Sequence, residues 1–257
     1  VTTPEATSQE PTQEVSTAIL GIPLYGPITF PFFQSVVAMM VYEMRQGKQQ
    51  RFVGWLPAQG CYIHKNRNQI CHNFLEHTEA DYLWFVDSDI QFMSDYLQKM
   101  MAKAEEIDAD ILACPYLLLD GSVTFYSKLR DGHYTSFGEL EYNKIYDLDA
   151  AGTGNMLIHR RVLEKLKDRY NGKHLGRTTD GDFPAAWFAH DRDGDTLLGE
   201  DYTFCNRAKR EGFSIKGWVE CPVEHWKLQP ISPPPPPEPH PADIEEENTN
   251  DSRIIIP

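Results

Sequence analysis

Three observations predict an α/β fold with a mostly parallel central sheet flanked by helices. Strand-like apolar runs alternate with helix-period segments through residue 119, the pattern of a parallel sheet joined by crossover helices. The run Tyr82-Leu83-Trp84-Phe85-Val86 is apolar or aromatic throughout, as suits a central strand covered on both faces. It stops abruptly at Asp87-Ser88-Asp89, and open α/β sheets bind ligands at the carboxyl ends of their strands.

The elements follow in order. Ala18 to Gly26 reads as a first strand ending in turn residues. A helix follows, with Phe32, Phe33, Val36, Val37, Met40, Val41 and Met44 at i, i+4 and i+8 spacings, read as core packing. Arg51 to Leu56 is a second strand, and Asn66 to Leu75 a helix with Ile70 and Phe74 inward. After the acidic strand end, Ser94 or Asp95 caps a helix whose apolar face is Leu97, Met100, Met101 and Ala104. Ala109 to Leu119 reads as another buried strand, closed by Asp120-Gly121.

The Tyr-rich segment from Val123 to Leu148 reads as hairpins, a smaller antiparallel part. Gly152-Thr153-Gly154 then leads into a strand ending at His159, and Arg161 to Tyr170 form a helix packed through Val162, Leu163 and Leu166. Because those glycines precede a strand, they read equally as a plain turn or as a close backbone approach to a ligand. Asn171 to Asp195 should be a long surface loop of the lid or binding type. Asp191 to Asp195 begins like a calcium loop, but Thr196 stands where the sixth-position glycine belongs and Tyr202 where the bidentate glutamate belongs. Glu200-Asp201 open a helix with Tyr202, Cys205 and Ala208 inward and Gly212 as its stop. Phe213 to Val219 is the last strand, leading to Glu224-His225-Trp226.

The 257 residues, 41% hydrophobic and 12% aromatic, suffice for one sizeable core. Residues 1–17 are rich in Thr, Glu and Pro and read as a tail; 18–228 form a single catalytic-sized domain. Residues 229–257 form a second tail, with five consecutive prolines at Pro233 to Pro237 and then an acidic run. The prolines suit a polyproline II spacer, and an SH3-like partner is the alternative. Of the net charge of -14, the ends carry -3 and -5 and the middle -6, which gives no electrostatic footprint for nucleic acid or anionic membrane. Five widely spaced cysteines show neither a disulfide framework nor a zinc pattern. No run is long enough to span a membrane, and no signal-peptide pattern opens the chain. These features suggest a cytoplasmic protein, while a start at Val1 rather than Met leaves room for a removed leader or upstream domain.

Asp87 and Asp89, two apart on an extended chain, would point to one side, and acids so close are costly unless a cation joins them. Glu200-Asp201 at a helix start and His225 after the last strand are the other acid and imidazole groups in suggestive places. Together with Pro23 and Tyr25 at the first strand end, Asn66-Arg67-Asn68, and the Gly152 to Ile158 segment, they resemble the nucleotide-sugar glycosyltransferases of the GT-A fold. The resemblance is to the broad family-2-like group and runs from Ala18 to Trp226.

It implies a Rossmann-like GT-A fold and transfer of a sugar from a UDP- or GDP-sugar to an acceptor hydroxyl. Asp89, with Asp87 and His225, would hold Mn²⁺ or Mg²⁺ on the departing diphosphate. Asp87, Ser88, Arg67, Pro23 and Tyr25 would line the nucleotide, and Asp201, with Glu200 second, would be the catalytic base. Trp187 reads either as a sugar-stacking side chain or as a loop aromatic packed on the core. Two alternatives stand beside this. A nucleotidyltransferase on a related fold would place a basic, glycine-rich loop after the first strand, where Leu24-Tyr25-Gly26-Pro27-Ile28 has no Lys or Arg. A non-catalytic carbohydrate-binding or assembly protein would bind no nucleotide at all.

Overall fold

The computed structural model describes residues 15–170, 185–220 and 223–226. Nearly all of both expected tails, and residues 171–184 of the expected loop, lie outside them. The first stretch runs β1 (Ala18–Leu24), α1 (Phe30–Met44), β2 (Phe52–Gln59), α2 (Ile63–His77), β3 (Tyr82–Val86), β4 (Ile90–Gln91), α3 (Tyr96–Glu106) and β5 (Ile111–Ala113). Next come β6 (Phe125–Lys128), β7 (Tyr134–Ser136), β8 (Ile145–Asp147), β9 (Ala150–Ala151), β10 (Asn155–His159) and α4 (Arg160–Arg169). The last are β11 (Asp191–Asp193), β12 (Thr196–Leu198), α5 (Glu200–Arg210), β13 (Ile215–Trp218) and β14 (Glu224–His225).

The central sheet has the order β2-β1-β3-β10-β5-β13-β8. β2, β1 and β3 are parallel, as their alternation with helices requires, and β13 is parallel to β5. β10 enters antiparallel between β3 and β5, and β8 lies antiparallel on β13. The sheet is therefore mixed. β10, buried from Asn155 to Ile158, has no alternating pattern, so nothing local in its sequence states its direction. β7, β6 and β9 form a small antiparallel sheet, as the Tyr-rich segment suggested.

Both faces of the central sheet are covered. α2, α4 and α5 bury Ile70, Phe74, Val162, Leu166, Phe204 and Ala208 against one face, which includes Leu83 and Phe85 of β3. α1 and α3 bury Phe32, Val36, Met39, Leu97 and Met100 against the other, with Tyr82, Trp84 and Val86. β3 is thus buried on both sides, and its side chains alternate between the two layers. Trp84 donates its Nε1–H to Asn155 Oδ1 at 3.2 Å and stacks on Tyr96, whose hydroxyl accepts from the same asparagine. Trp84→Phe leaves that buried oxygen without its donor and is expected to lower stability by about 1–3 kcal/mol in urea unfolding. An unchanged midpoint and slope would contradict this.

Two sequence expectations fail for physical reasons. The predicted core stripe of α1 is really two stripes. Phe32 and Val36 are buried, Met40 is half-buried, and Phe33, Val37, Val41 and Met44 are exposed, because the sheet covers one side of a helix that is apolar on both. The strand expected over 109–119 stops at Ala113: Pro115 lacks an N–H for the ladder and restrains the residue before it. Leu117 and Leu119 are exposed beyond it.

Candidate active site

The carboxyl ends of β1, β3 and β5 open on one edge, and the Asp87-Ser88-Asp89 segment sits at its centre. It is a turn, not extended chain: Ile90 N–H donates back to the Asp87 carbonyl at 3.0 Å. The two carboxylates therefore diverge instead of pointing to one side. Three neighbours fix the turn. Thr29, the N-cap of α1, gives its N–H and hydroxyl to the Ser88 carbonyl at 3.0 and 3.1 Å. The Gly154 carbonyl accepts from Asp87 N–H at 2.9 Å, and the Asp89 carbonyl accepts from Trp226 N–H at 2.7 Å. Ser88 is buried within the clamp.

Asp87 turns toward Arg67, which α2 carries into the site almost fully buried. The guanidinium reaches Asp87 Oδ1 at 3.4 Å, Glu200 Oε1 at 3.0 Å and Asp201 Oδ1. Two halves of the chain more than a hundred residues apart thus meet on one cation. Burial opposes the charged guanidinium, but Asp201, Asp87 and Glu200 more than offset it, so its pKa lies above the usual arginine value. Asp87 is pushed up by burial, with Asp89 and Asp201 adding to the effect and Arg67 opposing it.

The sign of that shift makes a stability prediction. A folded chain that holds the Asp87 proton more tightly than the unfolded chain has this contribution in full below the ordinary value of 3.8, and loses it as pH rises through the raised value. Asp87→Asn cannot ionise. It is expected to melt above the parent at pH 7, with the gap closing near pH ~3; a variant that melts below the parent at pH 7 would refute this.

Asp89 turns the other way. His225, placed by the pairing of β14 with β4, brings Nε2 within 3.4 Å of Asp89 Oδ2, and its Nδ1 lies 2.8 Å from the Leu117 carbonyl oxygen. The Tyr25 hydroxyl also bonds Asp89, and burial, then Asp87 and Asp89, drive its pKa far above the usual phenol. Pro23 lies buried at the end of β1, two residues before Tyr25. Among the described residues, no group of three or more His, Cys, Asp or Glu side chains is arranged to hold a metal ion. Asp89 and His225 converge as a pair, and a carboxylate with an imidazole is a donor set that suits Mn²⁺ or Mg²⁺ better than a thiolate metal.

Glu200 and Asp201 occupy the first turn of α5, where the positive end of the helix favours acids. Asp201 Oδ1 accepts from Thr153 Oγ1 at 2.6 Å as well as from Arg67. The glycines flanking Thr153 are required by close approach. A Cβ on Gly154 would lie 2.6 Å from both Asp87 Oδ2 and Tyr116 Oη, and one on Gly152 would lie 2.8 Å from the same hydroxyl. The segment is a turn, and the close approach at these glycines is to the site's own side chains. Tyr116, which sequence reasoning counted within a strand, accepts from Gly154 N–H at 3.2 Å, and burial raises its pKa well above normal. Trp187 is fully buried with its Nε1–H on the Leu163 carbonyl, so it is a core residue and not a sugar platform. Asp191 to Asp195 supply β11 and the turn of the β11–β12 hairpin, with Gly194 at φ +61°.

This geometry can be set against known proteins. Residues 51–167 match the profile of Glycosyl transferase family 2. A glycosyltransferase family-2-like domain spans that part of the chain. The family-2-like domain contains Arg67, Asp87, Asp89, Thr153 and Gly154, while Tyr25, Glu200, Asp201 and His225 lie outside the matched residues. No curated protein sequence matches the chain.

Among solved structures, A197 from STIV is similar, with a TM-score of 0.53 at 19% identity over 82% of this chain and 86% of that one. GalNAc-T7, solved with UDP, GalNAc and Mn²⁺, gives a TM-score of 0.53 at 9% identity, over 85% of this chain and 45% of that one. The fold around the family-2-like domain is GT-A-like. No described helix is long and apolar enough to cross a membrane.

Proposed function

We propose that the chain is a metal-dependent glycosyltransferase that moves a sugar from a UDP- or GDP-sugar to an acceptor hydroxyl. One observation carries the reading: Arg67 joins Asp87 at the end of β3 to Glu200 and Asp201 at the start of α5. A structural role for either acid pair alone would not require the other half of the chain to arrive there.

In this reading Asp201 is the base. It takes the acceptor hydroxyl's proton as that oxygen bonds to the anomeric carbon, and the bond from that carbon to the diphosphate breaks with its electrons staying on the diphosphate. Such a step inverts the sugar's configuration. Among the described residues both hydrogen bonds to Asp201 fall on Oδ1, which leaves Oδ2 to take the proton. Glu200, on the same guanidinium, is the second choice. Asp89 and His225 would hold Mn²⁺ or Mg²⁺, with Asp87 beside them; the ion would supply positive charge for the departing diphosphate. Tyr25, Pro23, Ser88 and Arg67 form the nucleotide side. The catalytic unit is taken as residues 18–228, with 1–17 and the Pro-rich 229–257 as appended tails, the latter a spacer, with an SH3-like ligand as the alternative. A cytoplasmic setting is part of the same reading; among the described residues, Cys61, Cys71, Cys114 and Cys205 form no disulfide with one another.

The test is calorimetric titration with UDP, the nucleotide held by the similar GalNAc-T7 structure, and with GDP, each with Mn²⁺ and with EDTA. A screen of UDP- and GDP-sugars for slow hydrolysis follows. Binding and hydrolysis lost in EDTA and restored by Mn²⁺ are expected. Absence of nucleotide binding in every arm would favour a non-catalytic carbohydrate-binding protein, and hydrolysis of a nucleoside triphosphate instead would favour a nucleotidyltransferase.

A further inference from the structure

We infer that a cavity behind Tyr116 binds an apolar aglycone, an aryl or alkyl group attached to the hydroxyl compound that accepts the sugar. The word acceptor rests on the glycosyltransferase reading; the chemistry of the cavity does not. The cavity has a volume of about 270 Å³ and is walled by Tyr116, Leu117, Val123, Leu140 and Val219, with Glu220 the one charged residue of its described lining. That is larger than the ~150 Å³ apolar cavity that suffices for a benzene ring. At its edge Leu117 and Tyr142 are 58% and 68% exposed, large apolar surface that a bound apolar group would cover.

Position ties the cavity to the acids. The Tyr116 ring forms part of its wall, while the Tyr116 hydroxyl takes the Gly154 N–H and feels the charges of Asp87 and Asp201. Leu117 and Val223 line both this cavity and an adjoining recess that contains His225. Sheet order puts the cavity across β3 from Tyr25, which the proposed function assigns to the nucleotide. Tyr25 follows β1, whereas Tyr116 follows β5 and Val219 follows β13, and β3 with its acidic turn stands between them. A nucleotide approaching along β1 leaves the β5 and β13 side for the second substrate. A bare saccharide would suit that side poorly, because hydroxyls pressed against these side chains would lose their hydrogen bonds to water.

The experiment measures binding of methyl, octyl and p-nitrophenyl β-glucosides to the full chain by calorimetry. The same samples are titrated with UDP and Mn²⁺. Octyl or p-nitrophenyl glucoside is expected to bind at least about tenfold more tightly than methyl glucoside. Leu140→Arg, which puts a charge in the wall, and Val123→Trp, which fills the space, are each expected to reduce that ratio below about twofold. Circular dichroism melts confirm that at least one of the two is folded. A preference for octyl identifies an alkyl group and one for p-nitrophenyl an aryl group; either supports the inference. Equal binding of all three glucosides, or a preference that survives in a folded variant, overturns it. UDP binding without an apolar preference removes the cavity's role alone, and an apolar preference without UDP binding removes the glycosyltransferase reading alone.

Discussion

Asp201→Asn is expected to lower kcat for sugar transfer by about 10²- to 10⁴-fold, the usual worth of a positioned base, while UDP binding in Mn²⁺ changes by less than about twofold. Asparagine keeps the shape and can still accept from Thr153 and Arg67, so the loss would report the missing proton acceptor and not a collapsed site. Donor hydrolysis without acceptor separates the two further. Water needs less help from a base aligned on an acceptor hydroxyl, so hydrolysis should fall much less than transfer. A purely structural Asp201 would lower both together along with UDP affinity, and full transfer activity in the variant would remove it as the base. Glu200→Gln is the control, since it changes the same guanidinium's partners by one charge at the neighbouring position.

The fold was legible wherever a segment's own pattern decided the matter. β3 is apolar on both faces because both faces are covered, and the acids at its end lie where parallel strands deliver ligands. What was not legible depends on partners distant in sequence. β10 gives no local sign of running antiparallel, and the exposed half of α1 is as apolar as its buried half. The same limit applies within the site. Asp87, Asp89, Arg67, Glu200 and His225 announce themselves by residue type, but only the fold shows that Asp87 faces Arg67 while Asp89 faces His225. Thr153 and Tyr116 carry no such signal. Their hint was the pair of glycines, whose missing side chains make room for a carboxylate and a phenol.

Arg67→Met should produce the largest loss of stability, about 3–5 kcal/mol, because it removes the cation shared by three carboxylates and leaves them close together and poorly hydrated. Methionine keeps the apolar stem that packs in α2, so little of the effect comes from lost volume. The pH dependence tests the cause. Arg67 opposes the upward shift that burial, Asp89 and Asp201 impose on Asp87, so without the guanidinium the folded Asp87 carboxyl should hold its proton more tightly still. A raised carboxyl contributes stability that is present at low pH and lost as pH climbs through the raised value. The variant should therefore recover toward the parent as pH falls from 7 toward ~4, the ordinary carboxylate range, whereas a packing defect would cost the same at both. Adding Asp201→Asn to Arg67→Met gives the same answer at fixed pH. If the carboxylates are the cause, the double variant is more stable than Arg67→Met alone, since one of the uncompensated charges is gone; if the two losses simply add, Arg67 holds the site by packing and not by charge.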